Sequence, residues 1–231
     1  MSAGEVMYMI RFISLCAAVC AGLSVAATRA QADSHSERTQ AVLHTLKALR
    51  AGGHVLVVTH GAVEAGERDE PGVRPDDCAR QQGLSDIGRL AASGTGKLLA
   101  RLDVPVGAIV SSRYCRALEN AQRIAHVTRT KSTSTLDALN DAHAAPAAVA
   151  QARAMALRRL VFAAPRARSN TLLVTHKANL SRTFDIGSTP PTDGELWVFK
   201  PTAKGHERIA RIQLVELSAV MRHLNARTTA P

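Results

Sequence analysis

The chain has 231 residues, of which 46% are hydrophobic but only 3% aromatic, and its formal net charge is +10. This length fits one globular domain of ordinary size once a targeting segment is set aside, and its core must consist mainly of Ala, Val, Leu and Ile. The positive charge favours anionic partners such as phosphate esters or acidic glycolipids. Specific nucleic-acid binding is disfavoured, because basic clusters such as Arg166 to Arg168 lack aromatic side chains on which bases stack.

Residues 1–32 have the features of a secretory signal peptide. Arg11 precedes an apolar run from Phe12 to Ala27, and Ala30-Gln31-Ala32 provides a cleavage site with small residues at both ends. A membrane anchor is the alternative, but the run is shorter than the roughly 20 residues that span a bilayer. We therefore expect a periplasmic or secreted protein without a stable membrane anchor after cleavage.

Two cysteines, Cys78 and Cys115, lie outside the predicted signal peptide. In an oxidising compartment such a pair can persist as a disulfide. The alternative is two free thiols that are buried as small apolar side chains. Both states are compatible with the sequence.

The first predicted elements are a helix, a strand and a second helix. Residues 33–53 form an N-terminal amphipathic helix, with apolar residues at helical spacing. The short apolar run over 54–59 predicts a buried parallel strand, which leads to His60-Gly61. After a polar loop, a helix is predicted over 85–102, with Ser85 as its N-cap.

The rest of the chain continues this alternation up to a C-terminal tail. The remaining predicted elements are a strand over 107–112, helices over 114–126 and 146–163, strands over 170–175, 195–199 and 209–217, and the tail over 221–231. This order predicts an α/β protein, a three-layer α/β/α sandwich with a mostly parallel central sheet.

Polar residues follow three of the predicted strands. His60 and Gly61 follow the first, Ser112 and Arg116 the second, and His176 the third. Ligands of open α/β sheets bind beyond the carboxyl ends of the strands, so one shared site is expected. A neutral imidazole can attack phosphorus while cationic side chains hold the phosphoryl oxygens, which makes phosphoryl transfer the chemistry that these residues favour.

These motifs resemble those of the histidine phosphatase superfamily, whose fold is phosphoglycerate mutase-like. The family's Arg-His-Gly is matched by Thr59-His60-Gly61, its Ser-Ser-x-x-x-Arg-Ala by Ser111 to Ala117, and its late Gly-His by Thr175-His176. The resemblance extends from about His54 to Phe199, and it predicts a family-like domain over 54–220. The segments around the two cysteines further resemble a bacterial group of short, exported members.

The resemblance implies a role for each matched residue. His60 would be the nucleophile that forms a phosphohistidine, and His176 would be a second imidazole at the phosphoryl group. Arg116 would bind the phosphoryl oxygens, and Gly61 would lie in the same phosphate-binding loop. The implied activity is that of a phosphoric monoester hydrolase that needs neither a cofactor nor a metal.

The sequence departs from the family at Thr59, where the family has arginine. A hydroxyl there replaces a charged group that can hold two phosphate oxygens, so weaker phosphate binding and slower turnover are expected. Lys177 either returns a positive charge to the site or points to solvent. A non-catalytic phosphate-binding protein is therefore the alternative function.

The leaving oxygen of a phosphomonoester also needs a general acid. Glu195 is the first candidate, followed by Asp137 and Asp141, and Glu64 is a further possibility. The expected substrate is a phosphorylated small molecule or an envelope glycolipid. A zinc site built on the two histidines is the least favoured alternative, because no ligand cluster at zinc-binding spacing accompanies them.

Overall fold

The computed structural model describes three parts of the chain: residue 34, residues 36–143 and residues 145–228. The chain divides into two compact units, 1–41 and 42–231. In the first unit, residues 34 and 36–41 are described, and they are helical. The predicted signal peptide, residues 1–32, lies outside the described residues. In the described parts, no helix is both long and apolar enough to cross a membrane.

Strands and helices alternate along most of the described chain. The strands are β1 (Val55–Thr59), β2 (Val106–Ser111), β3 (Thr133–Thr135), β4 (Asn170–Thr175), β5 (Leu196–Thr202) and β6 (Gly205–Ile212). The helices are α1 (36–48), α2 (Asp86–Arg101), α3 (Cys115–Thr128), α4 (Ala147–Phe162), α5 (Lys177–Thr183) and α6 (Leu214–Thr228). Short 3-10 helices cover Leu49–Ala51, Cys78–Arg80 and Asp137–Leu139.

The strands form one sheet with the order β3-β2-β4-β1-β5-β6. The pairs β1 with β4, β4 with β2, and β2 with β3 are parallel, whereas β5 and β6 pair in the antiparallel sense. The predicted α/β architecture with a mostly parallel sheet is confirmed. The parallel pairing brings the carboxyl ends of β1, β2 and β4 to the same edge.

Hydrophobic clusters cover both faces of the sheet, because successive side chains of a strand point to opposite faces. In β1, Leu56 and Val58 join one cluster, and Val55 and Val57 join the other. The first cluster also contains buried residues of α2, α3 and α6, and the second those of α4 and α5. Burying an aliphatic side chain of this size contributes about 1.5–3 kcal/mol. The two clusters therefore hold the sheet between two helical layers.

The C-terminal region differs from the prediction. The strand predicted over 209–217 covers the end of β6 and the start of α6. The helix begins where the side chain of Glu216 accepts a hydrogen bond from the backbone N–H of Gln213 at 2.7 Å. Residues 221–228, predicted as part of a tail, are helical. The apolar residues suggested a strand, but in α6 Leu217 and Val220 are buried on the core side of a helix, whereas Val215 is exposed.

Candidate active site

His60 lies directly after β1, held in place by its backbone. Its N–H donates to the carbonyl of Thr175 at 3.1 Å, and its carbonyl accepts from the N–H of Gly194 at 3.0 Å. Its ring Nδ1 lies 2.8 Å from the carbonyl oxygen of Gly61. A carbonyl can only accept, so Nδ1 carries the proton and Nε2 keeps its lone pair. His60 therefore has the tautomer that a nucleophilic Nε2 requires.

Burial keeps the His60 ring neutral. The side chain is almost fully enclosed, and desolvation lowers its pKa from 6.5 to about 4. The hydrogen bond to Gly61 opposes this shift, whereas the positive charge of Arg116 adds to it. At neutral pH the imidazole therefore retains the electron pair with which it can attack phosphorus.

His176 follows β4 and lies beside His60, with the ring centroids 5.0 Å apart in an edge-on arrangement. It is buried, and its Nε2 lies 2.9 Å from the hydroxyl oxygen of Ser112. Burial is the main cause that lowers the pKa of His176 well below its ordinary value, and the neighbouring His60 and Arg116 add to this effect. The structure thus places two neutral imidazoles at the ends of adjacent strands.

Arg116, in the first turn of α3, is the buried cation of this cluster. Its Nη1 lies 2.9 and 3.0 Å from the two carboxylate oxygens of Asp69, and its Nη2 lies 3.0 Å from Oδ2 of Asp141. The guanidinium carbon is 5.0 Å from the centre of the Tyr114 ring. In this structure, carboxylates therefore occupy donors that a phosphoryl group would use. The sequence gives no signal for Asp69, which lies in a long polar loop.

Asp141 connects the arginine with the second histidine. The oxygen that contacts Arg116 also lies 3.5 Å from Nδ1 of His176. Of the four carboxylates considered as the general acid, Asp141 is the one that contacts both of these residues. Asp137 instead pairs with Arg113 at 3.4 Å, and its side chain is 69% exposed.

Glu195 is buried at the end of the loop that precedes β5. Its Oε1 pairs with Nε of Arg211 at 2.8 Å, and its Oε2 accepts from the N–H of Thr192 at 2.8 Å. These contacts hold the loop to β6. The structure therefore does not bring Glu195 into contact with the histidines, and the same holds for Glu64, which lies 3.8 Å from Arg89.

Thr59 and Gly61 use their donors within the protein. The Thr59 hydroxyl donates its proton to the carbonyl of Thr192 at 2.6 Å and accepts from the N–H of Glu195 at 2.9 Å. The N–H of Gly61 donates to Oδ1 of Asn120 at 3.0 Å. Neither the hydroxyl proton of Thr59 nor the N–H of Gly61 is therefore available to a phosphate. Asn120, which accepts from Gly61, has a role in the site that the sequence did not reveal.

Gly61 is also required by its close approach to α2. A Cβ on Gly61 would lie 2.7 Å from the carbonyl oxygen of Gly88, too close for any side chain. The loop after His60 therefore packs backbone to backbone against the start of α2, where Ser85 accepts a hydrogen bond from the N–H of Gly88 at 3.2 Å.

Lys177 lies at the rim of the cluster. Its Nζ pairs with Oδ1 of Asp193 at 2.6 Å, and the lysine side chain is 45% exposed. Asp193 is close enough for its charge to raise the pKa of His60, although less than burial lowers it. The sequence left the direction of Lys177 open, and the structure directs it to this carboxylate.

A disulfide joins Cys78 to Cys115, with the Cα atoms 5.6 Å apart. Cys115 is the first residue of α3 and precedes Arg116. The disulfide therefore ties the polar loop that carries Asp69 to the helix that carries Arg116. Among the described residues, no group of three or more His, Cys, Asp or Glu side chains could hold a metal ion.

The structure is similar in fold to several solved structures, among them proteins described as phosphatases. SixA of Agrobacterium tumefaciens, described as a phosphohistidine phosphatase, matches with a TM-score of 0.51 at 18% identity, over 70% of this chain and 97% of SixA. YhfR of Bacillus stearothermophilus matches with a TM-score of 0.50 at 20% identity, over 68% of this chain and 95% of YhfR. No protein-family model and no curated protein matches the sequence.

A third structure has the same fold. The mycobacterial glucosyl-3-phosphoglycerate phosphatase, in complex with VO3, matches with a TM-score of 0.50 at 15% identity, over 69% of this chain and 98% of that one. The expectation of a phosphoglycerate mutase-like fold is confirmed. The fold is the one that histidine phosphatases share, with His60, His176 and Arg116 at one edge of its sheet.

Proposed function

We propose that this protein is a histidine phosphatase superfamily member that hydrolyses a phosphomonoester through a phosphohistidine at His60. The observation that carries the proposal is the hydrogen bond from Nδ1 of His60 to the carbonyl of Gly61. It leaves the Nε2 lone pair available on a neutral ring, within a cluster that also holds Arg116 and His176. The similarity of fold to phosphatases supports the same reaction.

The proposed reaction has two steps. In the first, the Nε2 lone pair of His60 forms a bond to phosphorus while the bond from phosphorus to the ester oxygen breaks. In the second, a water oxygen attacks phosphorus, the bond from phosphorus to nitrogen breaks, and His60 regains its lone pair. Arg116 stabilises the negative charge on the equatorial oxygens in both steps.

Asp141 is our proposed general acid. In its protonated form, it would donate its proton to the departing ester oxygen, and the resulting carboxylate would accept a proton from the attacking water. Its contacts with Arg116 and His176 support this role, because they place one of its oxygens among the groups that would surround the phosphoryl group.

The test is hydrolysis of p-nitrophenyl phosphate by the purified protein and by His60→Asn. We expect turnover in the wild type and a loss of at least about a thousandfold in the variant, because the nucleophile is gone. Acid-quenched wild type should contain a phosphohistidine that is absent from the variant. Activity that persists unchanged in His60→Asn would refute the proposal.

His54→Asn is a matched control. His54 also places its Nδ1 against a backbone carbonyl, that of Gly52 at 3.0 Å, but it lies at the opposite end of β1. This variant removes a histidine with the same local hydrogen bond and leaves the proposed site untouched. It should hydrolyse the ester at nearly the wild-type rate.

A non-catalytic phosphate-binding protein is the second candidate. It is favoured by the two carboxylates that pair with Arg116 and by Thr59, whose hydroxyl proton is donated to a backbone carbonyl. In that case, tungstate should bind in competition with inorganic phosphate, while no ester is hydrolysed and no phosphohistidine forms.

We also propose that the protein is exported and acts on a phosphorylated small molecule or envelope glycolipid. The apolar N-terminal segment and the disulfide support an oxidising compartment, and the net charge of +10 supports an anionic substrate. Mass spectrometry of the periplasmic protein should find the mature chain beginning at Asp33. A full-length chain in the cytoplasm would contradict export.

A further inference from the structure

A chain of buried hydrogen bonds leads from Asn140 through Ser112 to His176. The amide of Asn140 has a fixed orientation. Its Oδ1 accepts from the backbone N–H of Arg113 at 2.9 Å, and its Nδ2 donates to the carboxylate of Asp137 at 3.2 Å. The amide oxygen therefore faces Ser112, and it has no proton to give.

The hydroxyl of Ser112 then has one arrangement in which no two acceptors face each other. Its oxygen lies 3.1 Å from Oδ1 of Asn140, so its single proton points there. One lone pair accepts from the N–H of Tyr114 at 3.1 Å, and the other faces Nε2 of His176 at 2.9 Å. Because the serine proton is already used, Nε2 of His176 must carry a proton and donate it.

The other ring nitrogen of His176 faces the site. Among the described residues, Nδ1 has no hydrogen-bond partner although it is buried, and Oδ2 of Asp141 lies 3.5 Å away. That oxygen also accepts a hydrogen bond from Nη2 of Arg116. A phosphoryl oxygen that took its place on Arg116 would therefore lie close to Nδ1, which must gain a proton before it can donate a hydrogen bond.

We propose that Ser112 and Asn140 are positioning residues that hold His176 as its Nε2–H tautomer, so that His176 binds a phosphoryl oxygen only by taking up a proton at Nδ1. Binding of the anion is thereby coupled to protonation of one defined atom. The charged and titratable groups that face His176 are His60 after β1, Tyr114 before α3, Arg116 in α3, Asp141 after the 3-10 helix, and Arg153 in α4. The proposal rests on the proposed function only for the identity of the anion.

The tautomer can be measured directly by nitrogen NMR of 15N-labelled wild-type protein at neutral pH, with the His176 ring assigned through bonds from its own backbone. We expect a protonated Nε2 and an unprotonated Nδ1, the reverse of His60. An unprotonated Nε2 on His176 would overturn the proposal. This measurement needs neither turnover nor a variant.

Tungstate then tests the coupling, since it is a tetrahedral dianion that does not itself titrate near neutral pH. Bound tungstate should move the Nδ1 signal of His176 into the protonated range while Nε2 remains protonated. An Nδ1 that stays unprotonated in the complex would overturn the proposal. If tungstate fails to bind at all, the proposed function fails, and the coupling to an anion fails with it.

Ser112→Ala should give a mixture of the two His176 tautomers and about fivefold to tenfold weaker tungstate binding, as loss of one orienting hydrogen bond implies. Ser111→Ala is the matched control. Ser111 is the neighbouring residue, and its buried hydroxyl has no hydrogen-bond partner in the part of the chain that the structure describes. It should leave both the tautomer and the affinity unchanged, and an equal effect in the two variants would contradict the role of Ser112.

Discussion

At the scale of single residues, the charge balance around Arg116 bears directly on the proposed binding of an anion. The guanidinium is buried and each of its terminal nitrogens contacts a carboxylate, from Asp69 or from Asp141. Leaving a buried charge unpaired is strongly unfavourable, so these carboxylates stabilise the buried guanidinium. In the proposed function, an arriving phosphoryl group would have to displace at least one of them, and part of its binding energy would be lost in doing so.

Asp69→Asn is therefore expected to tighten anion binding. The asparagine keeps an oxygen that can accept from the N–H of Gln82, as Oδ1 of Asp69 does at 2.9 Å. It loses the negative charge that competes with an anion for Arg116. We expect a dissociation constant for tungstate that is about fivefold to tenfold lower, measured by calorimetry. Asp76→Asn, in the same loop, should have no such effect. Weaker binding in Asp69→Asn would mean that this carboxylate chiefly holds Arg116 in position.

The lowered pKa of His60 predicts a pH-dependent stability. In the unfolded chain, this histidine gains a proton as the pH falls through 6.5, whereas in the folded protein it gains one only at about 4. The unfolded state thus binds more protons between these values, and stability falls as the pH falls. The loss attributable to His60 is about 3 kcal/mol, at 1.36 kcal/mol for each pKa unit.

His60→Asn isolates this contribution, because asparagine can keep a donor toward the carbonyl of Gly61 but does not titrate. Denaturant unfolding of both proteins at several pH values should show a smaller loss of stability in the variant between pH 6.5 and about 4. Parallel curves for the two proteins over this range would contradict the lowered pKa.

At the scale of elements, the end of β1 is fixed to the loop before β5 by Thr59. Its hydroxyl connects a carbonyl and an N–H three residues apart, those of Thr192 and Glu195. Thr59→Val keeps the shape but leaves both backbone groups buried without this partner. We expect a loss of about 1–3 kcal/mol in the free energy of unfolding. Thr133→Val, on the exposed edge strand β3, should change it little, and an equal cost at both positions would contradict the assignment.

The sequence predicts the strands that lead to the site because their signal is local. The strands end just before His60, Ser112 and His176, and their parallel pairing brings these three residues to one edge of the sheet. The partners of each side chain are not local. Asp69 is 47 residues from Arg116, and Glu195 is 16 residues from the arginine that pairs with it. Neither spacing has a periodicity by which the contact could be recognised.

At the scale of the whole molecule, charge acts differently at long and short range. The net charge of +10 attracts anions toward the protein from a distance. At the site itself, Lys177 and Arg116 are paired with Asp193, Asp69 and Asp141. The positive surface thus favours encounter with an anion, whereas in the proposed function final binding would depend on an exchange of partners at Arg116.

The disulfide joins positions 37 residues apart, and it anchors the loop with Asp69 beside Arg116. Replacing both Cys78 and Cys115 by alanine releases this constraint on the unfolded chain. For a closed segment of this length, we expect a loss of about 2–4 kcal/mol, or roughly 5–15 °C in the melting temperature. A reducing agent should lower the melting temperature of the wild type by a similar amount and leave the double variant unchanged. A double variant that melts with the wild type would contradict a stabilising disulfide, and a reductant effect in that variant would point to another cause.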